Sequence, residues 1–469
     1  MADGVRRASL PTQLLAVAGS LALVVTLGAC ASQTSKQAGE ASLQSGGATS
    51  ALPVCSTEVL SDTQAYINKD TAGREDLAQV TIAGSGLPLT SDKFAMDAIA
   101  KDSMLPCNPN VNLNDLAAAP ENVRMVNEVL GLDRWNTLIR KEIVGKGPAG
   151  GLAPTGFGDG KTSCATFLNL VARYPYFCAE KGTWPTLQDA CTREIATMFA
   201  HAAQETSQVP PPAGVSPWQT SLFYVREQTC YPDNCVKYDA GKEAFKAPAD
   251  AHFYGRGMKQ VTYVYNYAGV SGALFGDVTV LVNTPDLVAS NAELVLGSGL
   301  WFYMSPQPPK PSMHATVVGT YKPAEAAAGI SPDADGSVKD KFSATVSIIN
   351  GGIECSPTSA EPLAKSKARY TNFVGLLKQF DAKLTPVERS YDPGVTYCTI
   401  VQGNPFATNL AALSYRPNFY YDTTSAGCKA IPWQTSVPLV IASRGMLAEC
   451  RELSTGAATS PGIDVGAAN

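Results

Sequence analysis

Histidine is scarce in this chain, with three residues in 469, and no Cys-x-x-Cys pair occurs. The ligand patterns that most often hold zinc are therefore missing, and a metal site is not expected. Charge is thin as well: 16% of residues are Asp, Glu, Lys or Arg, and the formal net charge is only −5. So weak a field gives no reason to expect nucleic acid or an anionic membrane surface as partner, whereas a neutral polysaccharide would need no field at all. The apolar run at the N-terminus, Leu14 to Leu27, falls short of the roughly 20 residues that span a bilayer. No internal repeat is found. What the chain does have is length for two or three domains or one large core with extensions, 45% hydrophobic residues, 32 prolines and 12 cysteines.

The short apolar run follows Arg6 and Arg7 and ends in Leu27-Gly-Ala-Cys30. A positive start, a short apolar stretch and small residues before a cysteine read as an export signal over residues 1–30. The ending is similar to a bacterial lipobox, which implies lipidation of Cys30 and anchoring to the cell envelope; Ala31 after it favours the outer membrane. Residues 31–52, rich in Ser, Gly and Gln, read as a flexible tether. In an exported protein most cysteines are expected in disulfides. Without Cys30, eleven remain, an odd number that leaves one free or paired between chains. Cys230 and Cys235 are near enough in sequence to close a small loop.

Residues 53–160 form an N-terminal region with Cys55 and Cys107. A rough apolar stripe of Val123, Val126, Val129, Leu130 and Leu132 predicts a helix from Pro120 to about Val144. The Gly/Pro stretch from Gly145 to Gly160 reads as a linker or long loop. Residues 161–382 are mainly helical in pattern. Ile195, Met198, Phe199 and Ala202 follow the i, i+3, i+4, i+7 spacing of a core helix, with Asp189 as its expected cap and Pro210 to Pro212 beyond its end. Further helices are predicted over Ala292 to Met304 and Leu363 to Phe380. Residues 383–469 are a Cys- and Pro-rich extension ending in a polar tail expected to be disordered.

Two glutamates stand out. Glu205 lies in His201-Ala-Ala-Gln-Glu-Thr206, seven residues after Met198 and near the same helix face. Burial disfavours a charged carboxyl, so the sequence predicts a raised pKa for Glu205 and a role as proton donor. Glu227 lies in Arg226-Glu-Gln228, among polar neighbours that favour its ionised form. One acid kept neutral and one kept charged is the division of labour that glycoside cleavage requires. For an arbitrary glutamate the plain alternative is structural: Glu205 bonding backbone at a helix end, and Glu227 pairing with Arg226.

The surrounding blocks change that balance. Residues 163–380 resemble glycoside hydrolase family 19, the plant-type and bacterial chitinases. The resemblance runs, in order, through Met198 to Thr206, Arg226 to Gln228, Tyr254-Gly-Arg-Gly257 on to Tyr267, Asn283 to Val288, Pro306 to His314 and Ile348 to Cys355. It implies a mainly α, two-lobed, lysozyme-like module with the cleft between its lobes. It also implies that the enzyme inverts anomeric configuration, with Glu205 as general acid, Glu227 as general base and Thr262 holding the attacking water. Gln260, Tyr265, Asn266 and Asn350 would meet the sugar. Glu354 and Arg369 would complete a charge network in the cleft, and no cofactor is needed. Departures are visible: Gln204 stands where the family has histidine, Met258-Lys259 follows the Gly-Arg-Gly turn where the family has proline, and Met313 replaces a cysteine before His314. The segment between Glu227 and Tyr254 also differs and carries Lys237, Lys242 and Lys246.

The expected activity is hydrolysis of β-1,4 bonds in N-acetylglucosamine polymers, chitin or chito-oligosaccharides. One rival keeps the chemistry and changes the substrate to peptidoglycan, which fits an envelope-anchored enzyme. Another is a non-catalytic sugar-binding surface protein, whose sign would be loss of a glutamate; both are present.

Overall fold

The computed structural model describes residues 111–147, 154–228, 230, 237–239, 242, 245–275, 277, 279–305, 311–321, 333–354 and 360–390, together with the backbone of 419–421 and 428–430. The signal segment with Cys30, the tether, Cys55, Cys107, Cys235, Cys355, Pro306 to Lys310 and the C-terminal tail lie outside the described residues.

Helices build the described molecule. In chain order they are α1 (Glu121–Leu138), α2 (Gly160–Ala172), α3 (Leu187–Thr206), α4 (Val264–Phe275), α5 (Val280–Asn283), α6 (Leu287–Ser290), α7 (Ala292–Met304), α8 (Met313–Val318), α9 (Lys341–Glu354), α10 (Ala360–Gln379) and α11 (Pro386–Arg389). Two short strands, β1 (Phe419–Tyr421) and β2 (Cys428–Ala430), pair antiparallel with Phe419 opposite Ala430.

The centre is α3. It contacts α1, α7, α8, α9 and α10, and Ile195, Met198, Phe199 and Ala202 are at most 1% exposed. Small residues at Ala196, Ala200, Ala202 and Ala203 let neighbours close on it from several sides. Its start differs from the sequence expectation. Thr186, not Asp189, is the N-cap: its hydroxyl accepts from the Asp189 N–H at 3.0 Å, and Asp189 sits in the first turn, where a carboxylate favours the helix dipole. The helix over Ala292–Met304 has its expected bounds, and α10 starts and ends within a few residues of the expected helix.

Helix α1 is shorter than predicted and kinks at Gly131, whose φ of 57° leaves the helical region. It is nonetheless fully engaged with the rest. Trp135 stacks on Phe167 of α2 with ring centroids 5.2 Å apart and meets Phe199 of α3 edge-on at 6.2 Å. Its indole N–H donates to Ser163 Oγ at 2.9 Å, and Asn122 donates to the carbonyls of Val171 and Tyr174, each at 2.9 Å. A ring as central as Phe199 is worth about 3–5 kcal/mol against alanine.

At the far end of α3, Arg193 holds Glu388 of α11 through Nε at 2.7 Å and Nη2 at 3.0 Å. Cys178 and Cys191 form a disulfide that ties the segment before α3 to its first turns. Cys164 and Cys230 are disulfide-bonded too, and among the described residues no cysteine is free.

Candidate active site

Glu205 is the penultimate residue of α3. It was expected among apolar neighbours, with desolvation as the dominant influence. Instead its side chain keeps 23% exposure and receives the guanidinium of Arg369, so a cation rather than an apolar wall faces it. Arg369, from α10, is itself 1% exposed and gives Nε and Nη2 to the buried Glu354 at 2.8 and 2.7 Å. Burial works against the Arg369 charge, yet the two carboxylates outweigh it and hold the guanidinium's pKa above its ordinary value. Asn350 completes the group by donating to Glu354 at 3.0 Å; its φ of −149° marks a kink in α9 that brings Asn350 and Glu354 together. Glu205, Glu354, Arg369 and Asn350, named from widely separated stretches of sequence, thus form one network.

Two buried basic groups line the back of this network. His201 lies one turn before Glu205; its Nε2 is 2.8 Å from Thr345 Oγ1 and its Nδ1 3.3 Å from Arg369 Nη1. Burial, then the charges of Lys259 and Arg369, push the imidazole's pKa well below its ordinary value. Lys259 is 4% exposed and donates to the Met198 carbonyl at 3.0 Å. Burial and the Arg369 charge hold its amine well below the usual range, against the opposing pull of Glu205.

Glu227 is held quite differently. It lies on a non-helical strip, residues 222–227, stitched by main-chain bonds. Thr206, the neighbour of Glu205, ties the strip to α3: Leu222 N donates to Thr206 Oγ1 at 2.9 Å and Tyr224 N to Thr206 O at 2.9 Å. Further along, Gly257 N donates to Val225 O at 2.9 Å and Glu227 N to Gly255 O at 2.8 Å. The Gly255 N–H returns a bond of 2.9 Å to Glu227 Oε2. A side chain there would crowd the site, because a Cβ on residue 255 would sit 2.9 Å from Gln260 Oε1 and 3.3 Å from the Glu227 carboxylate. Arg226 does not pair with Glu227. Arg226 faces Asp286 instead, at 3.6 Å, and Asp286 also accepts from Arg256 at 2.9 and 2.8 Å. The block from Asn283 to Val288 therefore braces the strip through Asp286.

The turn from Gly255 to Tyr263 and the start of α4 carry the remaining candidates. Gln260 and Tyr263 adopt φ of 49° and 68°, left-handed values unusual for residues with side chains, and they bracket Thr262. The Thr262 hydroxyl makes no hydrogen bond among the described residues, while its carbonyl accepts from Asn266 at 2.8 Å. Gln260 spends its amide N–H groups on the carbonyls of Gly257 at 3.1 Å and Tyr224 at 3.4 Å. Asn266 is 3% exposed and Tyr265 7% exposed, the latter stacked on Tyr263 with centroids 5.5 Å apart.

One residue of the site was missed by the sequence reading. Tyr238 donates its hydroxyl to Glu227 Oε1 at 3.3 Å and meets Tyr263 edge-on at 5.3 Å. Burial, then the neighbouring Glu227 carboxylate, raise the phenol's pKa. It lies in the segment that departs from the family's blocks, and no periodicity or motif marks it.

Residues 159–383 match the family model described as chitinase class I, glycoside hydrolase family 19. This part of the chain is similar to the family 19 chitinases, and the matched segment is mainly α. Chitinase 3 of Oryza sativa subsp. japonica is 32% identical over 211 residues, 44% of this chain and 62% of that protein. Endochitinase A2 of Pisum sativum is 34% identical over 191 residues, 40% of this chain and 52% of that protein. The basic endochitinase of Vitis vinifera is 35% identical over 189 residues, 39% of this chain and 55% of that protein. The chain thus spans between about half and two thirds of the length of these relatives. A crystal structure of a class IV family 19 chitinase from Zea mays aligns at 21% identity with a TM-score of 0.33, covering 56% of this chain and 98% of that one, too loose a likeness to add to the assignment.

Proposed function

We propose that the protein is an inverting glycoside hydrolase that cleaves β-1,4 bonds of chitin or chito-oligosaccharides by general acid and base catalysis. The observation that carries this reading is the linkage of two carboxylates through Thr206: Glu205 in an ionic cluster beside it and Glu227 on the strip it anchors, within a segment matching chitinase class I.

In this reading Glu205 gives its proton to the bridging oxygen as the glycosidic bond breaks. Arg369 occupies one of its oxygens, and no hydrogen bond reaches the other among the described residues, which leaves Oε2 for the proton. Arg369 is balanced by the buried Glu354, so the three groups reach neutrality when Glu205 is protonated. Glu227 takes a proton from a water held with the Thr262 hydroxyl, and that water attacks the anomeric carbon from the opposite face. Asn350 and Gln260 meet the acetamido sugar. Asn266 acts one step back, fixing Thr262 through its carbonyl. No cofactor takes part. The reading includes export, with a lipid anchor on Cys30 holding the enzyme at the cell envelope.

The test is product analysis on chito-hexaose and on peptidoglycan sacculi side by side, with Glu205→Gln as control. Release of short chito-oligomers by the wild type alone is the expected result. Muropeptide release with chito-hexaose left intact would move the protein to wall hydrolysis. Binding of both without cleavage would leave a sugar-binding surface protein.

A further inference from the structure

The family match begins at residue 159, yet the chain reaches the catalytic strip from before it. Helix α1 is anchored on α2 and α3, and the chain then turns: Ile143 N and Val144 N both donate to Arg140 O, at 2.8 and 3.1 Å. Val144 is 1% exposed and Gly145 and Gly147 are buried. Gly145 N donates to Leu222 O at 2.8 Å and Gly147 N donates to Phe223 O at 2.9 Å. These bonds hold the strip at its first residues, alongside the Thr206 bonds to residues 222 and 224.

The contact at Gly147 is tighter than hydrogen bonding requires. A Cβ there would lie 2.4 Å from Tyr224 Cδ1 and 2.8 Å from Cε1. Tyr224 is tied at three points. Its backbone N–H is fixed to Thr206 O at 2.9 Å, its hydroxyl accepts from Gln228 at 3.0 Å, and its carbonyl accepts from Gln260 at 3.4 Å. Gln228 follows Glu227 directly in sequence, and Gln260 lies two residues before Thr262. Movement of this ring therefore reaches both the proposed base and the residue proposed to hold the water.

We infer that Gly145 to Gly147, outside the family-matched segment, are a main-chain clamp that positions the Glu227 strip against Glu205, with Tyr224 as the side chain that transmits it. The inference rests on the proposed roles of the two glutamates. Gly147 and Tyr224 are positioning residues; neither is assigned contact with the reacting atoms.

The test is a double-mutant cycle between Gly147→Ala and Tyr224→Leu, read as kcat and KM on chito-hexaose, with amide hydrogen exchange across residues 222–227 and thermal unfolding on the same proteins. Gly147→Ala is expected to lower kcat by about tenfold to a hundredfold, since an ångström-scale misplacement has that effect. KM should stay within about twofold, and exchange at Tyr224 and Glu227 should quicken. In the Tyr224→Leu background the same alanine should cost far less, because the ring it collides with is gone. Equal costs in both backgrounds, or a fall in thermal stability with kcat and exchange at 222–227 unchanged, would overturn the clamp. If Gly147→Ala alone does not fold, the double variant decides: restored folding supports the collision, and continued failure rejects it. Wild type that cleaves no chito-hexaose would refute the proposed function instead, and exchange would still show whether the clamp holds the strip.

Discussion

The two glutamates are held by opposite means. On the proposed acid side, Glu205 sits at the end of a buried helix and is placed by other side chains: Arg369, Glu354 and Asn350, backed by His201 and Lys259. On the proposed base side, Glu227 sits on a non-helical strip that is placed mostly by main chain: Thr206, Gly255, Gly257 and the Gly145–Gly147 segment. At the C-terminal end of a helix the N–H groups are already spent within it, so the donors that orient a carboxylate there must come from side chains. A non-helical strip has N–H groups to spare, and glycines let partners approach closely enough to use them. The acid side should therefore fail when a charge is removed, and the base side when a glycine gains a side chain.

Arg369→Met should have the largest effect, because it leaves Glu354 buried without its cation. Loss of one partner of a buried ion pair costs about 3–5 kcal/mol, and cleavage should be lost with it. Chemical denaturation and activity on chito-hexaose check this; near-normal stability would mean that the cluster does not organise the acid side. Next is Gly255→Ala, which leaves every charge in place but crowds Gln260 and Glu227. It is expected to lower kcat by about ten- to a hundredfold while the unfolding temperature barely moves. If unfolding temperature dropped and kcat per folded molecule held, the glycine would be structural only.

The third prediction concerns pH. The folded pKa of His201 lies well below its unfolded value of about 6.5. Below about pH 6.5 the unfolded chain takes up a proton that the fold refuses. The stability that the neutral imidazole contributes is therefore complete above that pH and drains away as pH falls toward the folded pKa. The loss is about 1.4 kcal/mol per pH unit while the imidazole stays neutral. Stability measured between pH 7 and 5 should fall more steeply for the wild type than for His201→Gln; parallel slopes would remove His201 from the acid response. Tyr238→Phe should have the smallest effect. It removes one hydrogen bond to Glu227, worth about 0.5–1.5 kcal/mol, so a fall in kcat of up to about tenfold is expected. An unchanged kcat would place Tyr238 outside the base side.

The asymmetry also explains what could be read from sequence. The acid helix was legible because helical periodicity is local, and Ile195, Met198, Phe199 and Ala202 state it directly. Its start was misplaced by three residues because Thr186 outcompetes Asp189 as the cap. Glu354 and Asn350 were found through an ordered family block and Arg369 through a looser resemblance beyond it; nothing local to them announces a shared network. The base side was harder. Glu227 stood out by its block, but it is held by backbone groups of Gly255, on a strip whose N–H groups bond Thr206, and backbone groups leave no mark in a sequence. Gly145 to Gly147 read as linker because glycine usually signals freedom; here its lack of a side chain permits close packing against Tyr224. Tyr238 lies where the sequence departs from every block, so neither periodicity nor resemblance pointed to it.

The proposed division of roles, Glu205 as acid and Glu227 as base, is tested by the anomeric configuration of the first product, followed by proton NMR during cleavage of chito-hexaose by wild type, Glu205→Gln and Glu227→Gln. The α-anomer should appear first from the wild type, and both variants should be reduced by at least about a hundredfold. A β-anomer appearing first, or full activity in either variant, would contradict that division.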